Sequence, residues 1–577
     1  MSIKVHRVRV KNFRSLQDVE TTLEEVTLLL GANNSGKTSF LRALTIALNG
    51  DRKFLSRDDL FINSQGNYPA NPRIEVDIEI RPIGDNGFST EWAQEFGEDI
   101  QTNQQNEEFL AYKAVVDFTA QQTEAQIKRY IIRNWNLGVA DETVEVSANL
   151  KTIPLFFIDA QRDLQEDLKL AQSYFGRLAA QIQYDPTQKT SLETALNDLN
   201  EQAVANSPIL AHLKDALEEL NRTVQTRGSG VEITPFPKKL RDLHKGLKVN
   251  FQDGSSESFS LEYHGMGTRS WASLLGYKAF VQWIKKQADD NADMLHPVLA
   301  LEEPEAHLHP NAQRQVYSQL KNITGQKIIS THSPYIAPLA AFEELRVFYK
   351  AGDSTSISDL KQMVIALNAS EKYALQNLVI RERGELFFAR IVVLFEGQTE
   401  ENALPLFAKK HWGCGAFEKG VSFINCQGDS FDIYTRFLES LQIPWIIFGD
   451  YDNPTVQGKI NKVGTNLGID VSTDDRFVLL NASIEHYLVD EGYRTALEEA
   501  YFAAKAAEYS DQTRRATEWT RVRALSDDDY KADKKALKDY KAKMGPLWAQ
   551  YIIDNEPAAR KIPPKIKDLL TVLDLKL

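Results

Sequence analysis

Two segments within the first eighty residues carry the apolar and polar alternation that is typical of β-strands. The first contains Val5, Val8 and Val10, and the second runs from Ile74 to Ile80. An apolar run at Leu28–Leu30 lies between them and is followed by an amphipathic helical pattern. Together these elements predict an α/β half-domain at the start of the chain.

Between Asp163 and about Gln225 the pattern changes to apolar residues recurring at threes and fours, with almost no glycine. This periodicity predicts amphipathic helices inserted into the domain. Such helices either pack within the chain or form a subunit interface, and dimerisation is the role we favour. The apolar positions are Leu164, Leu168, Leu170, Phe175, Leu178, Ile182, Leu192, Leu196, Leu199, Leu213, Leu217 and Leu220.

The α/β pattern resumes near Leu247 and continues to about Phe348. A polar stretch from Asp353 to Arg390, expected to be helical, then leads to a second α/β region that opens with the buried-strand signal IVVLFEG. The predicted fold is therefore α/β and multidomain. Its parts are an α/β segment 1–162, a helical insertion 163–240, the remainder of the first domain 241–350, a helical linker 351–388 and a second α/β domain 389–577.

Composition narrows the class of protein. The 577 residues exceed what one core can hold, and 42% hydrophobic with 25% charged residues is an ordinary globular balance. Two cysteines are too few for a disulfide framework. The N-terminus is charged and the chain has no long apolar run, which predicts a cytoplasmic chain without a membrane span. The net charge of −13 argues against a general attraction to nucleic acid, but a basic segment between Arg514 and Lys567 has lysines at largely helical spacing. That segment is either a solvated helix face or a local basic surface.

A phosphate-binding loop follows the apolar run Leu28–Leu30. The sequence GANNSGKTSFLRAL has the P-loop spacing, with Gly31 and Gly36 allowing the main chain to curl around phosphates. Lys37 would neutralise phosphate oxygens, and the Thr38 hydroxyl would contact Mg²⁺. The motif predicts ATP binding with an accompanying metal ion, and Asn34 and Ser39 complete the expected contact set.

An acidic turn in VLALEEPEAHLHP supplies what a P-loop still needs for hydrolysis. Glu302 follows a predicted strand at the place of a metal-contacting acid, and Glu303 occupies the place of a catalytic base. The alternative is an acidic strand-to-loop turn without chemistry.

A second group of carboxylates lies in the C-terminal α/β region. Glu396 follows IVVLFEG, Glu400 comes one helical turn later, Asp450 and Asp452 end the strand IPWIIFGDYDN, and Glu485 lies in SIEHYLVD. Converging carboxylates are the ligands that Mg²⁺ and Mn²⁺ prefer, and two such ions support phosphodiester cleavage. The sequence therefore predicts a catalytic site for one or two divalent ions, with solvated strand ends as the alternative.

Three further motifs resemble the ABC-type ATPase heads of the structural-maintenance and RecF class. FFIDAQRD places Gln161 as a Q-loop, YHGMGTRSW resembles a degenerate signature motif, and IISTHSP places His332 as the switch histidine. In that family one subunit's signature closes on the nucleotide of the other, so the resemblance implies a two-headed assembly. Glu302 stands where Asp is more usual and the signature lacks its common core, which implies slow or conditional hydrolysis. The signature positions are Gly265, Gly267, Thr268 and Arg269.

The C-terminal carboxylate series resembles a Toprim domain, and the whole order resembles the OLD (overcoming lysogenization defect) nucleases, including the nuclease subunit of Gabija antiphage systems. The resemblance implies a metal-dependent DNA endonuclease, gated by a nucleotide-binding head, acting in defence against phage. It also implies a homodimer or higher oligomer, with a helicase, retron or other defence-system partner left open. A C-terminal lysine at the scissile phosphate is implied to be Lys561, with Lys565 second, and Gly428 corresponds to a turn glycine.

Three other functions remain as alternatives. The first is a Toprim enzyme that makes covalent DNA links or primers, as topoisomerases and primases do. A type IIA topoisomerase would need a separate domain with a nucleophilic tyrosine, which is not recognisable here. An oligomeric sensor with an inactive Toprim site is opposed by the full acidic set. A repair ATPase of the RecF type would have no Toprim region.

Overall fold

The computed structural model describes residues 3–49, 55–84, 87–118, 126–140, 142–143, 145–146, 150–162, 185–210, 236, 250–251, 259–377, 383–426, 430–452, 454–505, 511–537 and 541–577. The predicted insertion residues outside 185–210 and 236 lie outside these ranges. Within them, none of the helices has the length and apolar character needed to span a bilayer.

The N-terminal two thirds of the chain contain fifteen strands in the described ranges. They are β1 (Ile3–Phe13), β2 (Leu16–Thr22), β3 (Val26–Leu30), β4 (Arg73–Pro82), β5 (Gln101–Thr102), β6 (Glu108–Asp117), β7 (Gln126–Asn134), β8 (Val139–Ala140), β9 (Leu155–Ile158), β10 (Asn250–Phe251), β11 (Phe259–Ser260), β12 (Val298–Glu302), β13 (Gln326–Ser330), β14 (Leu345–Ala351) and β15 (Ser354–Asp359). The helices of this part are α1 (Lys37–Asn49), α2 (Thr90–Phe96), α3 (Pro186–Ala205), α4 (Met266–Asp290), α5 (Pro310–Lys321), α6 (Lys361–Ala366) and α7 (Ala369–Ala374).

These strands form two principal sheets that enclose α1. An antiparallel sheet has the order β2-β1-β4-β6-β7-β8, and a mixed sheet has the order β15-β14-β3-β13-β12-β9. The alternation predicted from the sequence is confirmed, because Val8 pairs with Ile78 and Val10 with Val76. The second sheet is covered on both faces, which explains why all five residues of β3 are buried.

The side chain of Gln326 ties the two sheets together. Its amide accepts a hydrogen bond from the Val5 N–H at 2.9 Å and donates to the Val5 carbonyl at 2.8 Å. This pairing imitates a strand-to-strand bridge and satisfies buried main-chain groups at the junction.

The C-terminal part begins at β16 (Ile391–Phe395) and continues with β17 (Val421–Asn425), β18 (Trp445–Asp450) and β19 (Phe477–Leu480). These strands form one parallel sheet in the order β17-β16-β18-β19. Its helices are α8 (Gln398–Trp412), α9 (Phe431–Ser440), α10 (Pro454–Leu467), α11 (Ile484–Asp490), α12 (Arg494–Lys505), α13 (Gln512–Arg523), α14 (Asp527–Ala532), α15 (Lys534–Leu537), α16 (Lys541–Asn555) and α17 (Pro564–Lys576).

The expectation of a helical stretch from Asp353 to Arg390 is wrong at its start. Residues Ser354–Asp359 form β15, an edge strand that pairs antiparallel with β14. Gly352, with a φ of +62°, makes the turn between the two strands. Alternating small β-formers in STSIS favour this hairpin over a helix, and the short helices α6 and α7 follow it.

The basic segment is also not one continuous helix face. Asp533 separates α14 from α15, because its backbone leaves the helical region with a ψ of 100°. Lys531 forms an ion pair with Asp490. Asp533 therefore interrupts the helical spacing of these lysines.

Candidate functional site

The P-loop connects β3 to α1 and depends on two glycines with left-handed backbone angles. Gly31 has a φ of +136° and lies against the Phe348 carbonyl, and Gly36 has a φ of +104°. A Cβ on Gly36 would lie 2.6 Å from Thr355 Oγ1, so no larger residue fits. Lys37 donates from Nζ to the carbonyls of Gly31 at 2.8 Å and Ala32 at 2.9 Å.

A cleft of roughly 700 Å³ opens over this loop and gathers most of the predicted nucleotide residues. Lys37, Thr38, Glu302, Glu303 and His332 all line it. Gln161 is not among the described lining residues, and its role stays a prediction. The remaining lining residues are Arg14, Ser15, Asn33, Asn34, Ser35, Gly36, Ser39, Asp58 and Ser330.

Arg14, Ser15 and Asp58 line the cleft but lie outside every motif that the sequence analysis used. Arg14 sits in the turn between β1 and β2 with a φ of +51° and donates to Asp59 at 2.8 Å. Asp58 belongs to a short turn capped by Ser56. The local sequence around Arg14 does not indicate that this residue lies beside the P-loop.

The acidic turn after β12 brings the expected metal and base positions to the cleft. The Thr38 hydroxyl donates to the Glu302 carboxylate, which joins the P-loop to the turn. Burial raises the pKa of Glu302, while the hydrogen bond from Thr38 opposes that rise. Thr38 and Glu302, both oxygen donors, therefore fit a divalent ion held with a nucleotide.

The switch histidine faces the proposed base. His332 Nε2 lies 3.7 Å from Glu303 Oε1. Burial and the nearby Lys37 lower the pKa of His332 to about 4, so the ring is neutral at pH 7 and this contact is not an ion pair. A neutral imidazole keeps one donor and one acceptor nitrogen beside Glu303.

We expect ATP affinity to fall as the pH rises above about 8. Burial lowers the pKa of Lys37 to about 8, so at higher pH the free protein must take up a proton before its ammonium can meet the phosphates. The dissociation constant should then rise by up to about tenfold per pH unit. Calorimetric titrations from pH 7 to 9.5, where the ATP phosphates are fully ionised, would measure this change. A constant affinity across that range would contradict it.

The predicted signature motif lies at the start of α4. Gly265 is the N-cap residue of the helix, and a Cβ on Gly267 would lie 2.7 Å from the His307 carbonyl. Nearby Tyr263 is 82% exposed. In the described part of the chain, no residue of the motif lines the chain's own nucleotide cleft.

The C-terminal carboxylates follow the carboxyl ends of three adjacent parallel strands. Glu396 comes directly after β16 and Glu400 lies in the first turn of α8. Asp450 ends β18, Asp452 follows in the loop, and Glu485 lies in the first turn of α11 after β19. Because parallel strands end at one edge of a sheet, all five residues lie at the same edge, as the sequence predicted.

Two of these acids, Glu400 and Glu485, are buried, and a hydrogen bond joins the helices that carry them. Glu400 is 5% exposed and Glu485 is 2% exposed, and Thr399 Oγ1 donates to Glu485 Oε1 at 3.4 Å. A Cβ at Gly397 would come 2.8 Å from Glu400 Oε2, so glycine leaves room for that carboxylate.

The donor set suits a hard divalent ion, because every candidate ligand is a carboxylate oxygen. In the described ranges, no three His, Cys, Asp or Glu side chains are grouped closely enough to hold a metal as they stand. The fit therefore rests on residue type and on the shared sheet edge, and the five assignments stay predictions.

The lysine predicted at the phosphate lies in a segment anchored beside α11. Tyr493 donates to the Arg560 carbonyl at 2.9 Å, and the Lys565 N–H donates to the Tyr487 hydroxyl at 2.9 Å. These contacts hold Lys561 and Lys565 near the helix that carries Glu485. Gly428 lies outside the described residues.

Comparisons with known proteins agree with this division of the chain. The AAA ATPase domain family matches residues 3–337, and the family described as overcoming lysogenization defect protein-like, TOPRIM domain, matches residues 387–452. An OLD nuclease of Thermus scotoductus is 26% identical over 491 residues, covering 77% of this chain and 81% of its own length. The endonuclease GajA of Bacillus cereus is 20% identical over 518 residues, covering 78% of this chain and 74% of its own.

Among solved structures, an SMC head bound to the C-winged helix domain of ScpA covers 63% of this chain and 99% of its own, with 14% identity and a TM-score of 0.36. The family matches confirm the expected order of the domains, an ATPase head followed by a Toprim domain, and the sheets described above confirm an α/β fold in both. This chain therefore belongs to the AAA ATPase domain family, and residues 387–452, which follow that domain, match the OLD-like Toprim domain.

Proposed function

We propose that this protein is an ATP-binding, Mg²⁺- or Mn²⁺-dependent DNA endonuclease whose cutting is regulated by nucleotide. One observation carries the proposal: five carboxylates share the carboxyl edge of a Toprim sheet that is joined to an ATPase head. The names of its relatives, OLD nuclease and endonuclease GajA, support the same reaction. The resemblance to the nuclease subunit of Gabija systems supports a role in antiphage defence.

In this proposal, Glu396, Glu400, Asp450, Asp452 and Glu485 hold the divalent ions. When bound, the ions would supply an activated water and stabilise charge on the leaving oxygen. Lys561, or Lys565 in its place, contacts the scissile phosphate and favours the charge that develops there. At the head, Thr38 and Glu302 hold the nucleotide's metal ion, and Glu303 acts as the base for slow or conditional hydrolysis.

Contacts between the two domains support regulation by nucleotide. One hydrophobic core contains head residues such as Leu28 and Leu301 together with Toprim residues such as Val392 and Phe437. Phe387, from the connecting turn Gly384–Phe388, packs edge-on against Phe437 with ring centroids 5.5 Å apart. A nucleotide-dependent movement in the head would therefore be transmitted to the Toprim sheet by packed side chains rather than by a loose linker.

The same connecting turn reaches the nucleotide cleft. The ring of Phe388 lies 6.2 Å from that of the switch residue His332. Gly384 packs directly against the Pro334 carbonyl, leaving no space for a side chain there. On the Toprim side, Arg383 lies 3.8 Å from Glu401, the neighbour of Glu400. Through these contacts, a change in the position of His332 would be transmitted to the edge of the Toprim sheet that carries the carboxylates.

A homodimer or higher oligomer is part of the proposal. Among the described residues, the predicted signature motif does not line the chain's own nucleotide cleft and lies beside exposed Tyr263, which supports a role for it against a second head. In α3, Leu192 and Leu199 are 41% and 46% exposed, which favours the insertion as an interface. The five-part division of the chain, a cytoplasmic location and a helicase, retron or other defence partner also remain proposals.

A plasmid assay tests the proposed reaction. Supercoiled DNA incubated with the full-length protein should be nicked or linearised when Mg²⁺ or Mn²⁺ is added and left intact with EDTA. Parallel lanes with ATP, ADP and a non-hydrolysable ATP analogue would show the sign of regulation. An absence of cutting in all lanes would contradict the nuclease and favour an oligomeric sensor.

A further inference from the structure

Arg162 is a buried residue that is 5% exposed. It forms hydrogen bonds with the acidic turn after β12, which is distant from it in the sequence. Its Nη1 donates to the carbonyls of Glu302 and Glu303, each at 3.3 Å, and its Nη2 donates to the Pro304 carbonyl at 2.8 Å. Three successive carbonyls are thus bound by one guanidinium, whose rigid planar fork suits several acceptors at once. Arg162 follows Gln161 directly, and no local sequence pattern indicates this contact.

The acidic turn that Arg162 binds has an unusual main-chain conformation. Glu303 has a φ of +43°, in the left-handed region that non-glycine residues rarely occupy. Such a conformation persists when its surroundings hold it. The Arg162 contacts on both sides of Glu303 provide that support, and they fix the directions in which the Glu302 and Glu303 side chains leave the main chain.

Glu305 fixes the opposite side of the same site. It is 9% exposed, and its Oε1 accepts hydrogen bonds from the Thr331 hydroxyl at 2.8 Å and from the His332 N–H at 2.7 Å. The switch histidine is therefore tied to the turn that carries the proposed base. Burial lowers the pKa of Arg162 to about 10, and the neighbouring Glu305 carboxylate opposes that decrease.

We propose that Arg162 and Glu305 are positioning residues for ATP hydrolysis. Arg162 holds the turn so that Glu302 reaches the nucleotide's metal ion beside Thr38, and Glu305 holds His332 opposite Glu303. Neither residue lines the described cleft, so each acts through the groups it holds. The inference rests on the proposed ATP-binding and hydrolysing function of the head.

Arg162→Lys tests the first half, because a single ammonium cannot bind three carbonyls in the geometry of the fork. We expect kcat for ATP hydrolysis to fall at least about tenfold, since small misplacements of catalytic groups are costly. ATP affinity without Mg²⁺ should stay within about twofold of the wild type, whereas the gain in affinity on adding Mg²⁺ should be reduced. An unchanged kcat together with an unchanged Mg²⁺ gain would overturn the proposal.

Arg346→Lys is the matched control. Arg346 is also buried and donates to the main-chain carbonyls of Thr22, Glu343 and Leu345. It lies in β14, in register with Leu29 of β3, and its hydrogen bonds to described residues do not involve the acidic turn. Both variants should lower the midpoint of thermal unfolding. Only Arg162→Lys should change kcat and the increase in ATP affinity that follows the addition of Mg²⁺. Equal losses in the two variants would mean that Arg162 acts through stability alone.

Two Glu305 variants test the second half. Glu305→Gln keeps an acceptor oxygen for Thr331 and His332 and should retain most of the wild-type kcat, whereas Glu305→Ala should lose at least about tenfold. Equal loss in both would overturn the positioning role. If the wild-type protein binds ATP without hydrolysing it, hydrolysis fails as a proposed function, and the Mg²⁺ gain of Arg162→Lys still decides the inference.

Discussion

Asp450→Ala should abolish DNA cleavage while ATP binding stays at the wild-type level. Asp450 ends β18, between the strand that leads to Glu396 and the strand that leads to Glu485. Because this central position would contact the divalent ions, its loss should remove several kcal/mol of charge stabilisation, or about a thousandfold in rate. Single-turnover cleavage of plasmid DNA with Mg²⁺ or Mn²⁺ would measure the decrease.

Two further variants make that experiment specific. Asp450→Asn keeps the shape of the side chain and removes its charge, so it should be nearly as inactive as Asp450→Ala. Asp470→Asn is the matched control, because Asp470 is exposed and its carboxylate accepts hydrogen bonds from the neighbouring Ser472, at the opposite edge of the sheet. Cleavage that survives in Asp450→Asn would show that Asp450 is not a metal ligand.

Features encoded by consecutive residues at strand ends were predictable from the sequence. The P-loop, the acidic turn and the Toprim carboxylates each follow a strand whose apolar run is visible, and chemistry at such junctions needs residues at fixed short spacings. The parallel sheet then brought Glu396, Asp450 and Glu485 to one edge without further information.

Features that depend on long-range packing were not predictable. Thr355 of β15 donates to the Ser35 carbonyl at 2.8 Å across 320 residues, so the P-loop is covered by a strand that the polar pattern suggested was helix. Arg14 and Arg162 likewise contact partners far away in the sequence. A local periodicity has no information about such partners, because a polar residue that bonds a distant main chain looks like a surface residue.

Lys37→Ala should remove ATP binding and with it any effect of ATP on DNA cleavage. The Lys37 ammonium is 5% exposed and already placed at the P-loop carbonyls of Gly31 and Ala32, where it would neutralise phosphate oxygens. Losing such charged contacts in a buried site should weaken ATP binding by about a hundredfold. Calorimetry with ATP would measure it.

Cleavage without nucleotide should persist in Lys37→Ala, because the P-loop follows β3 of the head and Asp450 ends β18 of a different sheet. Lys327→Ala is the matched control: Lys327 is a buried lysine at the start of β13, bonded to the Ile323 carbonyl at 3.0 Å, away from the P-loop. This control should keep both ATP affinity and the ATP effect. If Lys37→Ala lost affinity and cleavage still responded to ATP, nucleotide would have to act elsewhere than at this cleft. A lost response with intact basal cutting would instead assign regulation to nucleotide bound at this cleft.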